Sequence, residues 1–177
     1  ETGLVGARNL DFSKITAQEA VVFDGEGPAS QITSASPTYI GLDIEITGRA
    51  AHAGVEPEKG LSAIRVAAEL ISRLPQGRLD EETTFNIGTI EGGTVRNAVP
   101  ESARVTGEFR SRNLETLDLI KLQVSEALGE VKALFPEAII DSHLDVQFET
   151  YTLNPNDPAT SRVVAVLLGL GLQPTMR

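Results

Sequence analysis

The clearest pattern in the chain is an alternation of apolar and polar residues that begins at position 40. Glycine, aspartate, glutamate and threonine separate the apolar side chains, which are Ile40, Leu42, Ile44 and Ile46. A period of two places successive side chains on opposite faces of a strand. This segment is therefore predicted to form a half-buried antiparallel strand.

Two helices and three more strands are predicted after it. Helical spacing from Leu61 to Leu74 predicts an amphipathic helix, and Asn113 is a predicted N-cap for a longer one. Strands are predicted at 83–90 and 102–111, and a last strand is expected to direct inward Leu144, Val146 and Phe148. The order β-α-β-β-α-β predicts an α+β fold, the ferredoxin-like two-layer sandwich with a four-stranded antiparallel sheet and two helices.

The segments on either side do not fit this unit. A short helix is expected within 4–10, a short buried strand at Ala20–Phe23, and a further helix at Ala159–Leu170. We expect one compact unit over 38–153, with 1–37 and 154–177 as strips of a second domain that the sandwich interrupts.

Composition narrows the classes of function. The net charge of −10 argues against non-specific nucleic-acid binding, which needs a basic surface. The absence of cysteine excludes disulfides and thiolate metal sites. The longest apolar run, Val163–Leu172, is too short to cross a membrane. No basic and then apolar leader opens the chain, so a cytoplasmic location is expected, and the start at Glu1 suggests a fragment of a longer protein.

Two glycine-rich loops carry the candidate chemistry. The first, Gly48–Gly54, presents His52, one of only two histidines, among small residues. An imidazole there can donate or accept a hydrogen bond, bind a metal or stabilise an oxyanion, and an exposed ring without a task fits equally well. The second loop, Gly92–Pro100, contains Asn97. Considered alone, Asn97, Asp24 and Arg110 are most simply a turn asparagine, a turn aspartate and a surface arginine.

Four segments together resemble a known family. Glu1–Ala7, Phe23–Gly25, Gly48–Gly54 and Gly92–Pro100, in this order, are similar to motifs of the di-zinc exopeptidase family of peptidase T, carboxypeptidase G and aminoacylase. The peptidase T-like tripeptidase branch is the most similar. The β-α-β-β-α-β unit lies where that family inserts its lid, or dimerisation, domain. The resemblance therefore implies that 38–153 is the lid domain and that 1–37 and 154–177 are parts of the catalytic domain.

The resemblance implies a role for each candidate. Glu1 and Asp24 match carboxylates that bind the two zinc ions. His52 matches a lid histidine that reaches into the partner subunit's active site and polarises the scissile carbonyl. Asn97 and Arg110 match lid positions that bind substrate, and an arginine suits a bidentate grip on a carboxylate. The implied partners are a second copy, through the lid domain, and a short peptide.

The chain also departs from the family pattern. The glutamate before Glu1, an upstream His-x-Asp motif and a downstream histidine are all missing from this sequence. Since di-metal hydrolysis needs a complete ligand set, we expect this chain alone to be inactive and not to bind zinc stably. Two alternatives remain: a free-standing dimeric ligand-binding module, and a hydrolase of the same family that acts on N-acyl or N-carbamoyl amino acids.

Overall fold

A computed structural model describes residues 5–25 and 27–177 of the chain. The chain divides into two compact units. One is Pro37–Glu149, called here the lid unit, and the other combines the residues up to Ser36 with Thr150–Arg177 and is called the outer unit. The assignment of the outer unit to a catalytic domain stays a prediction.

The helices and strands are numbered in chain order. The helices are α1 (Val5–Arg8), α2 (Ala63–Ile71), α3 (Leu114–Leu134) and α4 (Pro158–Gly169), with short 3₁₀ turns at Phe12–Lys14 and Pro57–Lys59. The strands are β1 (Gln31–Ile32), β2 (Ala35–Ser36), β3 (Thr38–Thr47), β4 (Gly77–Arg78), β5 (Thr84–Gly92), β6 (Ser102–Ser111), β7 (Ile139–Phe148), β8 (Tyr151–Thr152) and β9 (Thr175–Met176).

The lid unit contains one antiparallel sheet in the order β4-β5-β6-β3-β7. The chain runs β3, α2, β5, β6, α3 and β7, with the two-residue β4 added at one edge. Both helices pack against the sheet face that carries the alternating apolar side chains of β3. The predicted α+β sandwich is confirmed.

The core lies between this sheet face and the two helices. Its fully buried members include Ile44 of β3, Val66 of α2 and Val131 of α3, and Phe85 stacks on Phe109 with ring centroids 5.6 Å apart. The predicted N-cap is also confirmed, because the Asn113 side chain accepts hydrogen bonds from the first amides of α3.

The predicted inward direction of Phe148 is wrong, because a register shift at the end of β7 places it opposite Tyr39, on the face away from the helices. Leu144 and Val146 have the predicted direction but not the predicted burial. Both face the helix side of the sheet, opposite buried residues of β3, yet they are 37% and 47% exposed. Among the described strands, β7 pairs only with β3 and forms the edge of the sheet, so its side chains are covered from one side. Ile140 lies near the start of β7, opposite Ile46, and is buried.

The predicted buried strand at Ala20–Phe23 is wrong. The segment belongs to no strand, and Val22 and Phe23 are 82% and 95% exposed. A short apolar run becomes a strand only where a neighbouring strand offers hydrogen bonds and cover. The described residues offer neither to this segment.

The outer unit consists of short elements. Strand β1 pairs with β9 in parallel, and β2 pairs with β8 in antiparallel fashion. Helix α4 ends near Gly171, whose φ of 77° is the left-handed conformation that glycine accommodates at a helix end. Across the described ranges, 5–25 and 27–177, no helix has the length and apolar character needed to cross a membrane.

Candidate functional site

Backbone hydrogen bonds tie the two predicted glycine-rich loops together. The amide of Ala53 donates to the carbonyl of Asn97 at 3.0 Å, and the amide of Val99 donates to the carbonyl of Ala51 at 2.9 Å. Between these bonds, His52 and Ala98 form an isolated antiparallel bridge. The predicted site residues His52 and Asn97 therefore lie on adjacent backbones at one end of the lid sheet.

Glycines permit this close approach. A β-carbon at Gly48 would collide with the carbonyl oxygen of Leu61, and one at Gly60 would lie 2.8 Å from three side-chain carbons of Val99. Real β-carbons do not approach other heavy atoms so closely. The glycines of this region therefore shape the support on which the His52 loop rests.

His52 presents an exposed ring on a fixed backbone. Its carbonyl oxygen accepts hydrogen bonds from the amides of Val55 at 3.2 Å and Glu56 at 3.0 Å, which close a turn directly after it. Within this turn, the amide of Gly54 donates to His52 Nδ1 at 3.2 Å. The ring therefore has one nitrogen engaged by the protein, while Nε2 can meet a ligand.

The Arg49 side chain links the His52 loop to two other segments by hydrogen bonds. This role was not predicted from the sequence. Arg49 Nε donates to the carbonyl of Lys59 at 2.6 Å, and its Nη1 donates to Glu137 Oε2 at 2.7 Å, just before β7. A charged residue three positions before His52 was visible in the sequence. Its partners were not, because they are 10 and 88 residues away along the chain.

Arg110 lies far from His52 and Asn97. It is near the end of β6, whereas the two loops lie next to the start of that strand, where Ser102 pairs with Thr47. At about 3.4 Å per residue, Arg110 is roughly 27 Å along the strand from Ser102. One copy of the lid unit thus groups His52 with Asn97 and leaves Arg110 at the opposite end of the sheet.

The Arg110 guanidinium is held by its neighbours on the sheet. Its Nε and Nη2 donate to the two carboxylate oxygens of Glu108 at 3.0 and 2.9 Å. The guanidinium also stacks 4.4 Å from the centroid of the Tyr39 ring. Burial, and secondarily a hydrogen bond with Glu108, raises the pKa of Tyr39 above its ordinary value of 10.0. Glu108 was missed as a partner, although its spacing of two from Arg110 places both on one face of β6.

The predicted zinc ligands do not assemble a metal site in the part of the chain that the structure describes. Asp24 is exposed, and Glu1 lies outside the described residues. Among residues 5–25 and 27–177, no group of three or more histidine, cysteine, aspartate or glutamate side chains could hold a metal ion. The described residues alone therefore do not fit the two-metal centre that the resemblance implies.

Part of the chain matches the model of a known protein family. Residues 35–134 match the peptidase dimerisation domain of the M20 family, a region that includes the His52 loop, the Asn97 loop and Arg110. The uncharacterized protein YqjE of Bacillus subtilis is 41% identical over 155 residues, which cover 88% of this chain and 40% of that protein.

Two solved peptidase structures are similar to this chain in fold. The aminopeptidase PepT of Bacillus cereus is 34% identical, with a TM-score of 0.80 over 99% of this chain and 47% of its own. A tripeptidase of Staphylococcus aureus is 26% identical, with a TM-score of 0.83 over 98% of this chain and 46% of its own. The chain thus spans less than half the length of these relatives. On the match to the dimerisation domain over more than half of its residues, this chain belongs to the M20 peptidase family.

Proposed function

We propose that this chain is the lid and dimerisation domain, with flanking strips of the catalytic domain, of a metal-dependent exopeptidase that hydrolyses short peptides. An aminopeptidase or tripeptidase activity is favoured because PepT and a tripeptidase resemble nearly the whole chain, including the outer unit. A free-standing binding module would have no need of the outer unit.

The observation that carries the proposal is the joining of the His52 and Asn97 loops by backbone hydrogen bonds. Two hydrogen-bonded loops that present an exposed imidazole and an exposed amide can hold a carbonyl oxygen and stabilise the negative charge that develops on it. His52 has the role of polarising the scissile carbonyl, and Asn97 that of binding substrate.

Arg110 fits the same reaction only across a dimer. A tripeptide extends over about 10 Å, far less than the separation of Arg110 from the His52 loop within one copy. Each active site would therefore combine His52 of one subunit with Arg110 of the other. Arg110 would bind a substrate carboxylate with the donors that Glu108 leaves available, or in place of Glu108.

The edge strand β7 supports self-association. It is ten residues long and exposes Leu144 and Val146, whereas the opposite edge is the two-residue β4. A long, partly apolar edge strand is a surface on which a second chain can add a strand. We propose a homodimer with an isologous interface at β7.

Stable metal binding would require the longer protein of which this chain is a part. We propose that it holds two zinc ions, with Glu1 and Asp24 supplying two of the ligands, and that this chain alone neither binds zinc stably nor hydrolyses peptides. When bound, such a centre activates the attacking water. A cytoplasmic location is proposed with the same enzyme.

The test assays the full-length protein against tripeptides, dipeptides, N-acyl amino acids and N-carbamoyl amino acids, before and after removal of metal by a chelator. The proposal expects peptide hydrolysis that the chelator abolishes and zinc restores. Turnover confined to N-acyl or N-carbamoyl substrates would instead identify an amidohydrolase. Binding without any hydrolysis would identify the binding module.

A further inference from the structure

The surroundings of the His52 ring decide which of its nitrogens carries the proton. A backbone amide can only donate a hydrogen bond, so the Gly54 N–H, 3.2 Å from Nδ1, requires Nδ1 to be the acceptor. In a neutral imidazole one nitrogen is a donor and the other an acceptor. The proton of the neutral ring must then be on Nε2.

We infer that the Gly54 amide is a positioning group that holds His52 in the Nε2–H tautomer, so that the ring meets its ligand as a hydrogen-bond donor. The inference rests on the proposed function only for the identity of that ligand, the substrate carbonyl oxygen.

This tautomer restricts what His52 can do. With Nδ1 engaged by Gly54 and Nε2 protonated, the neutral ring has no available lone pair to remove a proton from water or to bind a metal ion. It can donate from Nε2 to a carbonyl oxygen and to the oxyanion that follows. His52 is therefore an electrophilic residue and not a general base.

The backbone on both sides keeps the donor in place. Ala53 is hydrogen-bonded to Asn97, and the His52 carbonyl accepts from Val55 and Glu56, so the Gly54 amide lies inside a closed turn. A β-carbon added at Gly54 would lie 3.7 Å from Cε1 and 3.8 Å from Nδ1 of His52, which is ordinary contact. Gly54→Ala is therefore a control that keeps the amide, and Gly54→Pro removes it.

Nitrogen-15 NMR of the labelled chain reads the tautomer directly. At alkaline pH, where the rings are neutral, long-range proton–nitrogen correlations distinguish protonated from unprotonated ring nitrogens. The chain has only two histidines, so His143→Gln assigns the spectrum. We expect protonated Nε2 and unprotonated Nδ1 in His52, with scalar coupling between Nδ1 and the Gly54 amide nitrogen. Gly54→Ala should keep this pattern, and Gly54→Pro should give His52 the tautomer mixture of an exposed histidine.

Protonated Nδ1 in the unmodified chain, or no coupling to the Gly54 amide, would overturn the inference. The coupling is measured without any substitution at Gly54, so a Gly54→Pro chain that fails to fold leaves the test intact. In the full-length protein, Gly54→Pro should lower kcat toward the roughly 100-fold loss that removal of one oxyanion donor causes. An enzyme indifferent to His52→Ala would refute the proposed function and leave the NMR result unaffected.

Discussion

The amide of Ala53 donates to the carbonyl oxygen of Asn97 at 3.0 Å, and this bond joins the two loops that carry the candidate chemistry. Forty-four positions separate the two residues, and each loop contains exposed side chains. Backbone atoms make this link, and a second backbone bond from Val99 to Ala51 reinforces it. The site is therefore held by the fold of the lid unit and not by the side chains that would touch substrate.

Gly60 should be among the least replaceable residues of this support. In Gly60→Ala the new β-carbon would lie 2.8 Å from the Val99 side chain, so the Gly60 segment and the Asn97 loop must separate. We expect a loss of about 1 to 3 kcal/mol in the free energy of unfolding, measured with urea. The control is Gly129→Ala in the interior of α3, where nothing lies within 4 Å of the added carbon; it should gain about 0.5 to 1 kcal/mol. Equal effects at the two glycines would contradict this packing.

Ionisation of Tyr39 should lower the free energy of unfolding at alkaline pH. Its pKa in the folded chain is raised, chiefly by burial and then by Glu108, so the folded state holds its proton more tightly than the unfolded state. The stabilising effect is complete below the unfolded pKa of about 10 and is lost as pH rises through the folded pKa. Tyr39→Phe should remove this part of the pH dependence in denaturant titrations. Glu108→Gln should lower the Tyr39 pKa in a spectrophotometric titration; an unchanged value would show that Glu108 has no influence.

Arg110 should affect substrate affinity more than turnover. In the full-length enzyme, Arg110→Lys keeps the charge and loses the bidentate fork, so we expect KM to rise about tenfold with kcat little changed. Glu108→Gln removes the carboxylate that holds Arg110, and KM should fall. Assays of both variants with one short peptide measure these changes. A fall in kcat at constant KM would contradict a role of Arg110 in substrate binding.

The dimer interface should depend on the β7 edge. Leu144→Lys places a charge among the exposed apolar side chains of β7, and we expect light scattering to show a monomer at concentrations where the unmodified chain is a dimer. Leu122→Lys is the matched control, because Leu122 is 54% exposed on α3. Loss of the dimer in Leu122→Lys alone would show that the interface lies on the helix surface and not at β7.

The sequence predicted most of the lid unit because its patterns report burial on one face. The alternation from Ile40 to Ile46 gave β3 correctly, since strands β6 and β7 flank it and the helices cover it. The same alternation at Leu144 and Val146 predicted the strand but not its exposure. Periodicity shows which side chains share a face and does not show whether that face is covered at an edge.

The candidate site was predictable only in part. Glycine and small residues around His52 indicated an exposed ring, which the structure has. The hydrogen bonds to Asn97 and the contact of Arg49 with Glu137 depend on long-range pairing, which local sequence does not encode. The separation of Arg110 from His52 follows from strand direction, so it became visible only with the register of β6.

We propose that His52 of one subunit serves the active site of the other. The direct test mixes two inactive forms of the full-length enzyme, His52→Ala and Asp24→Asn, after fluorescence transfer has shown that subunits exchange. A mixed dimer would contain one site with intact Asp24 and an intact partner histidine. We expect recovery of about a quarter of wild-type activity in an equal mixture, since half of the dimers are mixed and each has one intact site. No recovery on mixing, despite exchange, would contradict it.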